Sequence, residues 1–207
     1  MIKKILFLFL FVQFHLLASS SMIFMTHLQT DYDQEGLLTQ GVENLLLNLT
    51  KKGHKTQLLA LYNQLENWNG PVNQKINWIF SQYGEHQADL IAKDIYIVGA
   101  QLGACLQYTL RDVLKMRKEK ISIHFESSTL LSIEGELLSR ILSKQNRKEQ
   151  LLTLHHYFSR MIFLDNHKKI KNVKMNVYFN KDLVGSLRDE GFKRPYKKTD
   201  ADIFISF

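Results

Sequence analysis

The chain has 207 residues, 45% of them hydrophobic, with 2 prolines, 10 glycines and 1 cysteine. That balance fits one domain with a proper core, and it excludes a linker, a low-complexity chain and a disulfide-stapled scaffold. The formal charge is +7, or about +5 without Lys3 and Lys4. Much of the excess lies at 168–171 and 193–198, with no nucleic-acid motif beside it. No nucleic-acid partner is expected, and the basic runs read as a solvated face or a contact for an anionic envelope surface.

The first 20 residues stand apart. Lys3 and Lys4 precede an apolar run at 5–17 broken only by Gln13 and His15, and small residues follow at 18–21. This is the pattern of a signal peptide over 1–20, with an apolar core shorter than the roughly 20 residues of a membrane span. No cysteine follows the run, so it is not a lipoprotein signal. The mature protein is expected to be exported, periplasmic or secreted. Its domain would cover 21–166, with a β extension at 167–207 packed on it. In an oxidising compartment a lone cysteine cannot be an intrachain staple, so Cys105 is buried, intermolecular or functional.

Residues 22–27 form a short apolar strand. Val42, Leu45, Leu46 and Leu49 have helical spacing, and Gly53 stops that helix as a C-terminal cap. A strand is expected at 56–61, a polar loop at 63–73, an irregular helix at 76–90 and a strand at 94–98. A turn at 101–105 then leads into a helix. Residues 120–125 alternate as a strand, 133–142 and 149–157 read as helices, and 160–164 as a fifth strand. The tail has an alternating segment at 173–179, turn residues at 180–182 and a short strand at 202–207. The expected architecture is an α/β three-layer sandwich with a mostly parallel sheet, helices on both faces, and a C-terminal antiparallel β-hairpin. Ligands of such folds bind beyond the carboxyl ends of the strands, where His27 and the turn before Cys105 both fall.

Cys105 opens a helix directly after a strand and a tight turn. Free backbone N–H groups and the helix dipole at that position favour the thiolate, and the same N–H groups could hold an oxyanion. A small buried core residue is the competing reading.

Two segments together resemble the isochorismatase-like cysteine hydrolases, which include nicotinamidases. After the first strand, Leu28, Gln29, Asp31 and Tyr32 match the family's Met-Gln-x-Asp-Phe pattern. Later, Gly99, Cys105, Thr109 and Asp112 fall in register with its strand-end glycine, nucleophilic cysteine, threonine and aspartate. The resemblance spans roughly Met22 to Leu164, one domain's worth of chain.

The resemblance implies a Cys105 nucleophile attacking an amide or related carbonyl through a thioester, with an oxyanion hole at the N–H groups of Ala104 and Cys105. It also implies a cis peptide at Ala100-Gln101. The family's catalytic Asp is replaced by His27, whose imidazole could accept the thiol proton. Lys75 is the best counterpart of the assisting lysine, and Gln29 and Trp78 fall in the binding region. Trp68, Tyr62 and Trp78 would stack on a ring-bearing substrate or pack among themselves. Asp33, His54 and His86 do not reproduce the family's metal-ligand spacing, so no metal and no cofactor are expected. His155 and His156 are adjacent on a helix and diverge. The implied partner is a small-molecule substrate, and family members often pair into homo-oligomers. A non-catalytic pseudoenzyme that binds or scaffolds at the cell envelope is the alternative, because His27 stands where the acid belongs.

Overall fold

A computed structural model describes residues 20–28, 32–33, 35–60, 76–78, 92–116, 120–163, 175–187 and 201–207. The expected signal peptide lies outside the described residues. The chain begins with β1 (Ser20–Thr26), α1 (Leu37–Lys51), β2 (Lys55–Ala60), β3 (Ile76–Trp78) and β4 (Asp94–Leu102). It continues through α2 (Cys105–Met116), β5 (Ile121–Glu126), a 3-10 turn (Ser127–Thr129), β6 (Leu130–Ser132), α3 (Leu138–Ser143) and α4 (Arg147–Phe163). The tail adds β7 (Met175–Phe179), β8 (Asp182–Leu187) and β9 (Ala201–Ser206).

All nine strands join one sheet in the order β3-β2-β1-β4-β5-β9-β7-β8, with β6 also paired to β4. The fold is an α/β three-layer arrangement with a mostly parallel sheet. Alternation along β1 explains the layers. Met22 and Phe24 point into one core with α2, α3 and α4 residues such as Leu106, Leu110, Leu138, Leu154 and Phe158. Ile23 and Met25 point into the other, under Leu38, Val42, Leu45 and Leu49 of α1. A strand buried on both faces reads as a continuous apolar run, which is what 22–25 shows.

The helix over α1 ends as expected. Gly53 has φ +80, its N–H reaches the Thr50 carbonyl, and the His54 N–H reaches the Leu49 carbonyl. This satisfies carbonyls that the helix end leaves open. Within α1, Gly41 lets the helix approach the 3-10 turn: a Cβ there would lie 2.1 Å from the Ser128 carbonyl oxygen.

Three expectations are corrected. Residues 76–78 are strand, parallel to β2, and 79–90 lie outside the described residues. The helix expected at 133–142 begins only at Leu138. Before it come β6 and a turn in which Gly135 has φ +82 and donates its N–H to the Ser132 carbonyl at 3.1 Å. A left-handed glycine cannot continue a helix, so the turn displaces the start of α3. Residues 160–163 belong to α4 and are not a strand. The buried pair Leu154 and Phe158 sets a helical spacing, and the short apolar run that follows carries no periodicity of its own to resist it.

In the tail, β7 and β8 pair antiparallel across Asn180 and Lys181. The last strand does not join them as an antiparallel partner. It enters between β5 and β7, parallel to both, so the extension continues the main sheet.

Candidate active site

The strand order places β2 and β3 on one side of β1 and β4 and β5 on the other. The crevice at the carboxyl ends of β1 and β4 is therefore the topological switch point, the position where such sheets take ligands. Thr26, the last residue of β1, pairs with Gly99 of β4. A Cβ on Gly99 would sit 1.8 Å from the Thr26 carbonyl oxygen, and its φ is +121. Only glycine allows this approach. The Thr26 and Thr109 hydroxyls meet at 2.7 Å in the buried interior, tying the end of β1 to the second turn of α2. Thr109, noted in sequence only for its spacing from Cys105, thus joins the two motifs. Thr26 was not singled out in sequence.

His27 follows at once and has φ 51. Left-handed backbone is uncommon outside glycine, although histidine tolerates it better than most. The turn carries Leu28 into the core beneath α1 and leaves His27 half-buried. Its ring lies 4.7 Å from that of Tyr32, tilted by 32°. A few residues on, buried Asp33 accepts the Leu38 N–H at 2.9 Å, the Thr39 N–H at 2.7 Å and the Thr39 hydroxyl at 2.8 Å. This carboxylate neutralises open donors at the start of α1.

On the β4 side, the Ala100-Gln101 peptide is cis, at the junction where the family resemblance implies one. Ala100 is fully buried, while Gln101 is half-buried. Cys105 is the first residue of α2, as expected, and is a half-buried free thiol. Its electrostatics differ from expectation. Burial raises the thiol pKa above its ordinary value; hydrogen bonding from the backbone N–H groups of Gln101 and Cys105 lowers it but is outweighed. The helix start alone does not favour the thiolate, because desolvation opposes any charged form.

The Ala104 N–H donates to the Gln101 carbonyl at 3.1 Å, and the Ala104 carbonyl accepts the Gln107 N–H at 3.1 Å. The main-chain donors turned toward the sulfur are those of Gln101 and Cys105, whereas the Ala104 donor expected in the oxyanion hole closes the turn. Trp78 is the last residue of β3, at the carboxyl edge of the sheet beyond β2. Lys75, Gln29, Tyr62 and Trp68 lie outside the described residues.

A cavity of about 450 Å³ opens beside this crevice. Tyr32, Asp33 and Glu35 line it from the loop after β1, Gln101 from β4, and Leu131 to Leu137 from β6 and its turn, with Arg140 of α3 at the rim. The Ser132–Leu137 wall was hidden in sequence because 133–142 read as a helix; Gly135 was the available signal against that reading.

No protein-family model, curated protein or solved structure matches the chain.

Proposed function

We propose that the protein is an exported cysteine hydrolase of isochorismatase-like type that acts on a small amide or related carbonyl compound. The observation that carries this reading is the junction of β1 and β4. The Thr26–Gly99 pairing and the Thr26–Thr109 bond hold the residue before His27 against the strand and helix that flank Cys105. Two motifs far apart in sequence thereby converge on one strand-end crevice with a cavity beside it.

In the proposed reaction, His27 takes the proton from the Cys105 thiol. The sulfur attacks the substrate carbonyl carbon, and the carbonyl electrons move to oxygen near the N–H groups of Gln101 and Cys105. As the C–N bond breaks, the imidazolium returns the proton to the departing amine and leaves a thioester. His27 then deprotonates a water that attacks the thioester carbon, releasing the carboxylic acid and regenerating the thiol. The raised thiol pKa makes a base necessary, since little thiolate forms unaided at neutral pH.

The test is alkylation of Cys105 by iodoacetamide across pH, read by mass on a chain with one cysteine. A working pair gives a neutral-pH rate that falls about tenfold or more in His27→Asn. A rate that climbs only with ionisation of an isolated buried thiol, unchanged by His27→Asn, overturns the base assignment.

A second reading, a binding domain of the same ancestry without catalysis, is favoured by the engagement of the Ala104 N–H with the Gln101 carbonyl. Adding a carbonyl substrate and finding no Cys105 thioester by mass, with alkylation intact, would support it.

A further inference from the structure

The cavity has a charge opposite to that of the chain. Its lining carries four carboxylates, Asp33, Glu35, Glu134 and Glu136, against one guanidinium, Arg140, in a protein of formal charge +7. The carboxylates are not equivalent. Asp33 spends both oxygens on the start of α1. Glu35 lies 3.4 Å from Arg140 across the rim, and Glu136 lies 2.5 Å from Lys144 just outside it. Glu134 accepts a hydrogen bond from the Tyr157 hydroxyl at 3.0 Å, a partner that leaves its charge in place. Counting Lys144, the described groups around the opening remain negative on balance. Charge confined to a cleft wall focuses its field into the opening, where it selects by sign.

The cavity is also tied to the nucleophile. Gln101 lines it, and the backbone of the same residue hydrogen-bonds toward the Cys105 sulfur. A molecule seated between the loop after β1 and the Ser132–Glu136 turn would have one end at Gln101 and the other among the carboxylates. The wall is mostly polar: Tyr32, Ser132 and Gln101 interrupt Leu37, Leu131 and Leu137. The volume suits a small molecule and not a polymer chain.

We infer that this cavity is the substrate subsite of the Cys105 centre and that it takes a small amide bearing an ammonium or guanidinium group, with Glu134 and Glu136 facing the cation and Gln101 at the reacting end. This rests on the hydrolase reading above. An anionic substrate of the isochorismate kind would meet the wrong sign.

Methanethiosulfonate reagents of matched size test the inference without any turnover. One carries a trimethylammonium group, one a sulfonate and one is neutral, and each rate on Cys105 is divided by its rate on free cysteine. The cationic reagent is expected to exceed the anionic one by about threefold to tenfold at low salt. The preference should shrink in high salt and in the exposed double substitution Glu134→Gln with Glu136→Gln. The salt series on the unaltered protein keeps the result readable if that variant folds poorly. Normal labelling by the neutral reagent with no cationic preference, or with an anionic one, overturns the inference and leaves the thiol chemistry standing. No labelling by any of the three overturns the hydrolase reading, and the inference falls with it.

Discussion

Where β1 and β4 run together, both faces of the sheet are sealed by apolar side chains: Met22, Phe24, Ile95 and Ile97 on one side and Ile23, Met25 and Val98 on the other. Where β5, β9 and β7 run together, only one face is built that way. Ile121, Ile123, Phe125, Ile203, Ile205 and Phe179 fill the core beneath α2 and α4. The opposite face carries Ser122, His124, Glu126, Phe204 and Tyr178, all half-buried. Its order comes from a row of rings stacked across strands, Tyr96 on His124 at 4.6 Å, His124 on Phe204 at 5.2 Å and Phe204 on Tyr178 at 5.0 Å. Asp94 meets His124 at 2.9 Å at one end of that row. The contrast separates two ways of holding a strand: burial from both sides fixes register through packing alone, whereas a polar face needs specific partners.

Truncating a ring in each half tests that contrast at its largest amplitude. Phe24 is fully buried, and Phe24→Ala should cost about 3–5 kcal/mol by lost transfer energy and the cavity left behind. Phe204→Ala, which loses two stacking partners on the half-buried face, should cost about 1 kcal/mol. Urea denaturation of both variants gives the comparison directly, and equal losses would mean that the second face is as tightly sealed as the first. A smaller effect is expected at the cover of the first half. Asp33→Ala removes the carboxylate that accepts three hydrogen bonds at the start of α1 and should cost about 1–2 kcal/mol. A change indistinguishable from zero in the same assay would show that packing of Leu38 and Val42 alone positions α1.

The two halves were legible in sequence to different depths. The unbroken apolar run at 22–25 and the alternation at 121–125 each announced a strand and its environment, because a period of two is visible in one segment. Residues 160–163 were misread because a short apolar run suits strand and helix alike, and only the packing of Leu154 and Phe158 decides. For the site, the glycine at 99 and the cysteine at 105 were readable as types at a spacing. That Gly99 faces the Thr26 carbonyl, and that Thr26 meets Thr109, were not readable, because strand pairing between distant segments leaves no local mark. The thiol was misjudged for a related reason. The helix start is a local feature, but burial by the rest of the chain is not, and burial wins.

The smallest expected effect concerns His124, the titratable member of the polar row. Burial lowers its pKa from the ordinary 6.5, the Asp94 hydrogen bond and charge oppose this, and His54 and Lys52 add to the lowering. Tyr96, itself pushed up to about 12 by burial and by Asp94 and Glu126, stays a neutral ring throughout this range. Because the unfolded histidine binds a proton more readily than the folded one, stability is complete above 6.5 and declines as pH falls through and below that value toward the folded pKa. Glu126 on the same face works in the other sense. Burial raises its pKa above 4.5, so its contribution weakens as pH rises through the ordinary carboxylate range. The two slopes oppose one another, and total stability alone would hide both. Subtracting the urea midpoints of His124→Gln from those of the unaltered protein between pH 5 and pH 7 isolates the histidine. The difference should favour the unaltered protein more at pH 7 than at pH 5. The reverse trend would mean that Asp94 dominates, and that the row is held by a charged His124–Asp94 pair and not by a neutral ring in a stack.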